Sequence, residues 1–268
     1  MDLIFLGTGD EHGVPRIGCE CAVCRDALSP NSRNLRTGPS AALRYGPSYA
    51  QRLVLFDAPP ELRSQVTSQR LGPFDALLLT HTHDAHSLGL GPLLAAQREA
   101  GRPLLVHAPL GVLNDARERF AYLWNDKTYR RILQPEPLES TADLWGLAVQ
   151  PLRIDHGLGG TAYGYVLSYN GARLGYVTDM LRATAEARRL LEGLDVLVLG
   201  ASHYYEGIEM WKRSVMDVIA AVELIRELAP GRAFLTHLSH TIDYQEIVDR
   251  LPASTTLAYD GLVVEVPA

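Results

Sequence analysis

The stretch that constrains this chain most is Thr80-His81-Thr82-His83-Asp84-Ala85-His86, which sets three histidines within six residues directly after the apolar run Ala76-Leu77-Leu78-Leu79. Ala76 to Thr80 reads as a short buried strand. Ser87-Leu88-Gly89-Leu90, with Leu93, Leu94 and Ala95, reads as the start of a helix. The histidines therefore lie in a strand-to-helix loop held between two rigid elements. Neutral imidazole is the commonest ligand for zinc-like metals, so such a loop can aim several nitrogens at one place. Surface histidines in a polar loop are the alternative, and so dense a cluster beside a wholly apolar strand argues against it.

With 268 residues and 47% hydrophobic content, the chain can bury a large core, and we read residues 1–268 as one domain. No apolar stretch approaches the ~20 residues that span a bilayer, and Met1 to Gly7 lacks the basic flank and length of a signal peptide, so a soluble, cytoplasmic protein with no membrane partner is expected. A formal charge of -6 argues against extended nucleic acid as a partner. It leaves room for a small phosphorylated substrate, because bound divalent metals reverse the local field. The oligomeric state is not legible, and a homodimer stays open.

Along the chain, strands are expected at Asp2 to Leu6, Ser40 to Tyr45, Arg52 to Phe56 and Pro103 to His107, with helices near 61–69 and 110–124. The polar segment Asn125 to Glu139 contains Pro135 and Pro137 and reads as a loop or lid. A meander follows, with strands Leu144 to Ile154, Thr161 to Tyr169 and Arg173 to Thr178, and then strands alternate with helices. Six apolar runs end at a residue able to do chemistry, namely Asp57, His81, His156, Asp179, His203 and His237. Strands whose C-terminal ends converge build one site along a sheet edge, which is where open α/β folds place ligands. The order of elements suggests two sheets packed face to face with helices outside, an α/β architecture.

The loop histidines with His156, Asp179 and His237 make enough donors for two neighbouring divalent metals. Two metals would activate a shared water and clamp a phosphoryl or acyl oxygen. Asp179 has two oxygens and can bridge, whereas each histidine gives one nitrogen to one metal. Asp57 is expected to hold a ligand histidine by its second nitrogen.

A second donor cluster lies upstream. Cys19, Cys21 and Cys24 are an odd number packed too tightly for a disulfide framework, and they offer three thiolates to a structural zinc. His240, three residues beyond His237, is the expected fourth ligand, closing a zinc knuckle over residues 18–25.

His81-Thr82-His83-Asp84-Ala85-His86, the later His156, Asp179 and His237, and the opening Gly7-Thr8-Gly9 resemble the metallo-β-lactamase superfamily over nearly the whole chain. The resemblance implies a four-layer αβ/βα sandwich. It also implies that His81, His83 and His156 hold one metal (Zn or Mn), that His86 and His237 hold the other, and that Asp179 bridges. One position departs from the family loop His-x-His-x-Asp-His. Ala85 stands where the aspartate belongs and Asp84 comes one residue early, so the second metal requires local rearrangement with Asp84 as ligand, or is weak or absent.

Adding Gly13-Val14-Pro15, Gly18-Cys19-x-Cys21-x-x-Cys24 and His237-Leu238-Ser239-His240, the chain resembles the PhnP-type phosphodiesterases. That likeness implies a metal-dependent hydrolase of small or cyclic phosphate diesters, with Asp179 and His203 as catalytic residues and His203 protonating the leaving alkoxide or stabilising the transition state. The alternatives are another hydrolase of this fold (nuclease, lactonase or thioesterase), or a PqqB-like accessory protein with an altered metal site. A nuclease of the tRNA-processing branch should carry a long basic arm, which the sequence lacks.

Overall fold

Two seven-stranded sheets pack face to face in the computed structural model, which describes residues 1–267. The strands are β1 (Asp2–Gly7), β2 (Ser40–Tyr45), β3 (Arg52–Phe56), β4 (Ala76–Leu78), β5 (Leu104–Ala108), β6 (Leu133–Pro137), β7 (Ala142–Leu144), β8 (Leu147–Asp155), β9 (Thr161–Tyr169), β10 (Ala172–Val177), β11 (Val196–Gly200), β12 (Arg232–Thr236), β13 (Thr255–Leu257) and β14 (Val263–Glu265). The first sheet runs β14-β1-β2-β3-β4-β5-β6 and the second β13-β12-β11-β10-β9-β8-β7.

Within each sheet, antiparallel pairing gives way to parallel pairing: β3 to β6 are parallel neighbours in the first, and β10 to β13 in the second. Parallel strands are buried on both faces, which is why β4 and β11 read as unbroken apolar runs, Ala76-Leu77-Leu78 and Val196-Leu197-Val198-Leu199. Leu43, Phe56 and Leu78 meet Tyr165, Tyr176 and Val198 between the sheets. Leu55, Leu77 and Leu79 face outward onto the helices Leu62–Ser68, Leu90–Glu99 and Leu110–Arg119, while Leu197, Leu199 and Leu235 face the helices Ala185–Leu191 and Val218–Leu228. Period-two alternation on a pleated strand splits each run between the two cores. The α/β four-layer sandwich expected from the sequence is the observed fold.

Three expectations require correction. The segment 125–139 is not a loop or lid throughout, because Leu133–Pro137 forms β6 and pairs with β5 from Leu104↔Leu133 to Ala108↔Pro137. Its two prolines lack a donor, and they are tolerated because β6 is an edge strand. The expected strand Leu144 to Ile154 is a hairpin instead, broken at Trp145 (φ 53) and Gly146 (φ 89) between β7 and β8. The expected helix over 110–124 breaks at Phe120 (φ -111, ψ 38) into two.

Candidate metal centre

All six strand-end residues arrive at one edge of the sandwich. His83, His86, His156, Asp179, His203 and His237 line a single cleft of about 350 Å³. Asp57 lies fully buried behind it. The histidine stretch is positioned from the second sheet: Tyr165 on β9 donates its hydroxyl to the Leu79 carbonyl at 2.6 Å, and the Tyr163 amide donates to the Thr80 carbonyl at 3.1 Å. His86 does not lie in open loop, since Asp84–Ser87 forms one helical turn.

Outer hydrogen bonds fix the direction of each ring. His156 Nδ1 donates to the Ser214 carbonyl at 2.9 Å, which leaves Nε2 as its lone pair. His86 Nδ1 is 2.8 Å from Asp57 Oδ2, and His237 Nδ1 is 3.0 Å from Ser202 Oγ. Thr80 Oγ1 sits 2.9 Å from His81 Nδ1 and bonds both oxygens of Asp57 at 2.9 and 3.0 Å. Four imidazoles are thus held from outside at Nδ1 and present Nε2 inward, the arrangement that readies histidine for a metal.

The inward atoms have the spacing of ligands. Donors about 2.0–2.1 Å from one ion lie roughly 2.8–3.0 Å apart in octahedral and roughly 3.3–3.4 Å apart in tetrahedral coordination. His83 Nδ1 is 3.0 Å from His81 Nε2 and 3.4 Å from His156 Nε2. Asp179 Oδ1 is 3.3 Å from His237 Nε2 and 3.9 Å from His156 Nε2, while Oδ2 is 3.4 Å from His86 Nε2. The carboxylate therefore faces both histidine sets. Its Oδ2 is buried with no hydrogen-bond partner among the described residues, an expensive state for a charged oxygen unless a cation meets it.

Charge runs the same way. Burial, reinforced by His86, pushes His81 well below the usual imidazole range, and burial beside His156 lowers His83, so both present lone pairs. Asp179 is held well below the usual carboxylate range: burial works against ionisation, but His86 and His237 outweigh it. Burial likewise opposes protonation of His237, yet Asp179 prevails and raises it to about 9. Left-handed φ at Asp57 (59) and His237 (59) places strained backbone at this centre, a common mark of functional sites. Donor set, spacing and charge fit a divalent cation held by His81, His83 and His156, with Asp179 next to this set at 3.9 Å from His156 and grouped with His81 and His86.

The second half is poorer. Ala85 is buried in the cleft wall and offers no donor. Asp84, expected as a ligand, borders the cleft but is not among the grouped histidines and Asp179. Successive residues of a helical turn point about 100° apart, and Asp84 turns its exposed carboxylate to Arg119. His86, His237 and Asp179 are what remains on that side.

The three cysteines and His240 come together. Cys19, Cys21 and Cys24 surround His240, whose Nδ1 lies 3.3, 3.7 and 3.6 Å from the three Sγ atoms. Ligands of a tetrahedral zinc, with Zn–N and Zn–S of about 2.0 and 2.3 Å, stand about 3.6 Å apart. Cys21 also caps the short helix Ala22–Asp26, accepting from the Cys24 amide at 3.4 Å, and this bond lowers its thiol pKa.

His203 lines the cleft with Nδ1 held by Thr241 Oγ1 at 3.0 Å and Ser239 Oγ at 3.1 Å. Sequence reasoning missed Asp10, Glu11, His12, Arg16, Lys212 and Arg213 as cleft residues. A signal existed for the first four, which flank Gly7-Thr8-Gly9 and Gly13-Val14-Pro15, but not for Lys212 and Arg213.

The Beta-lactamase superfamily domain matches residues 52–238, from β3 through His237, and leaves the cysteine knuckle and His240 outside. The structure is similar to the crystal structure of a diphosphatase from the PhnP family, at 28% identity and a TM-score of 0.84 over 98% of this chain and 97% of that one. In sequence, the chain is 30% identical to coenzyme PQQ synthesis protein B of Methylobacterium nodulans, over 90% of each protein. It is also 30% identical to an octanoyltransferase of Porphyromonas gingivalis over 98% of its own length but 51% of that protein, so it spans about half of that relative. The matched domain, the shared sandwich and the histidine centre agree: the chain belongs to the beta-lactamase superfamily and carries the metallo-β-lactamase fold.

Proposed function

We propose that this chain is a metal-dependent hydrolase of small or cyclic phosphate diesters. The observation that carries the reading is Asp179, which lies between two histidine sets in one cleft, 3.4 and 3.3 Å from His86 and His237 and 3.9 Å from His156. A divalent cation (Zn or Mn) held by His81, His83 and His156, with Asp179 next to them, would supply the Lewis acidity that activates water and draws charge from phosphoryl oxygens. His86 and His237 offer a second, weaker position. Thr80, Asp57, Ser202 and the Ser214 carbonyl keep the imidazoles in register. His203, anchored at Nδ1, presents Nε2 to the leaving oxygen and hands it a proton. A structural zinc at Cys19, Cys21, Cys24 and His240 would tie residues 18–25 to the loop that carries His237. A cleft of about 350 Å³ suits a small ester rather than extended nucleic acid, and among the described residues no helix is long and apolar enough to cross a membrane.

Similarity to a PhnP-family diphosphatase supports phosphate chemistry. The second reading, an accessory protein like coenzyme PQQ synthesis protein B, draws on Ala85 and on the sequence likeness to that protein. Turnover of bis(p-nitrophenyl) phosphate should require added metal and collapse in His83→Ala. A protein that loads only the knuckle zinc and turns over no ester would favour the second reading. Faster cleavage of a lactone or thioester than of any phosphodiester would remove the substrate class.

A further inference from the structure

Arg16 belongs to neither donor cluster, yet it touches both regions. Its backbone is fixed by the knuckle: the amide donates to Cys24 Sγ at 3.4 Å, and the carbonyl accepts from the Cys19 amide at 3.1 Å. Its guanidinium enters the catalytic cleft, where Nη2 pairs with Asp10 Oδ2. Asp10 in turn lies against the His237 turn, with its amide donating to the Leu238 carbonyl at 3.2 Å. With Cα and head group both pinned, Arg16 is a donor preorganised before any ligand arrives.

Two further facts give this fork a task. Arg16 Nε is buried without a hydrogen-bond partner among the described residues, while 26% of the side chain remains open. A buried donor left unpaired is costly, and an oxyanion in the cleft would relieve it. Toward the His237 turn that Asp10 touches, Ala85 adds no carboxylate to His81, His86 and Asp179, so a cation there would have one donor fewer. The other cations of the cleft are ion-paired as Arg16 is, Lys212 with Glu209 at 2.6 Å and Arg213 with Asp217 at 3.1 Å and with the Glu206 carbonyl, but among the described residues neither has a buried nitrogen left without a partner.

We propose that Arg16 is the anion-binding residue of this cleft, held by the cysteine knuckle and Asp10 so that its guanidinium grips a phosphoryl oxygen on the side where the metal loop lacks a carboxylate. The proposal rests on the phosphoester reading for its choice of ligand. It gives the knuckle a role in the chemistry: the zinc cluster fixes the backbone from which the binding group projects.

The test uses the full-length, metal-loaded protein with inorganic phosphate as the probe, and its dissociation constant is read by calorimetry. Arg16→Met should weaken phosphate at least about tenfold while keeping the metal content of the parent, and Arg16→Lys should recover part of the loss, because a point charge replaces a bidentate fork. Phosphate bound equally well by Arg16→Met, at the metal content of the parent, overturns the proposal. Should Arg16→Met fail to fold, Arg16→Lys decides alone, and an unchanged phosphate constant there also overturns it. Phosphate binding is read without turnover, so an enzyme that hydrolyses phosphodiesters yet binds phosphate independently of Arg16 defeats this inference and leaves the functional reading standing.

Discussion

Asp57 and His86 form a fully buried contact, Oδ2 to Nδ1 at 2.8 Å, that decides which nitrogen of His86 faces the metal centre. The same carboxylate accepts from the Thr80 amide at 2.8 Å and from its hydroxyl, which in turn meets His81 Nδ1. One aspartate therefore orients two ligands from behind. In Asp57→Asn, an amide NH₂ facing Nδ1–H would drive His86 to its other tautomer and aim a proton at the cation. The expected result is a 10–100-fold loss of metal affinity with the fold retained, measured by competition with a chelating dye. Parent-like affinity would show that Asp57 is only a packing residue.

Acid should compete with the metal. His237 is raised to about 9 by Asp179 against its burial, so it carries a proton at pH 7 before a cation binds, and Asp179 and Asp57 shift His86 in the same direction against its own burial. A cation needs their lone pairs, so uptake that engages them releases protons, and affinity climbs as pH rises toward about 9. For the metal-free protein the sign is opposite. A histidine with a raised folded pKa contributes stability that is complete below about 6.5 and lost as pH rises through about 9. Calorimetry in buffers of different ionisation enthalpy counts the protons. Zero release at pH 7 would mean that the cation does not engage His237.

Gly159 should be intolerant of any side chain. A Cβ built there would fall 2.0 Å from His156 Nε2, the very atom that faces the centre. Gly159→Ala must push the ring or the 157–159 turn aside, and about a 100-fold fall in kcat/KM is expected for a misplacement near 1 Å. Loss of metal content in the variant, read by elemental analysis, separates this cause from a blocked cleft.

The knuckle zinc can be counted apart from the catalytic metal. His240→Ala and Cys21→Ala should each lower zinc by one equivalent, and limited proteolysis should cut the 13–36 segment sooner. A Cys21→Ala protein with its full metal content would remove the structural-zinc assignment.

His203 is tested by the leaving group. His203→Ala should cost about 10²–10⁴-fold with an alkoxide leaving group, which needs a proton, and far less with p-nitrophenolate, which departs without one. Equal losses on both would assign His203 to positioning or structure.

Much of this centre was legible from residue types and spacing. Apolar runs ending at Asp57, His81, His156, Asp179, His203 and His237 foretold convergence at a sheet edge, because strands of one sheet that run the same way deliver their ends to the same rim. Three thiols and His240 foretold the second cluster. What the linear order left open was direction. Where the Asp84 carboxylate points depends on the phase of a single helical turn, and only the packing of Asp84–Ser87 set that phase, pairing it with Arg119 at the cleft's border. Leu133–Pro137 became a strand because β5 offered an open edge, a partner that local polarity and two prolines could not reveal. Arg16 lay beside the cysteines as an ordinary polar residue, and its meaning came from Asp10 and the distant His237 turn, brought to it by the bridge between Gly9 and Leu238. Composition and periodicity determine which side chains are available and which segments are buried; contacts between residues far apart in sequence decide where each donor points.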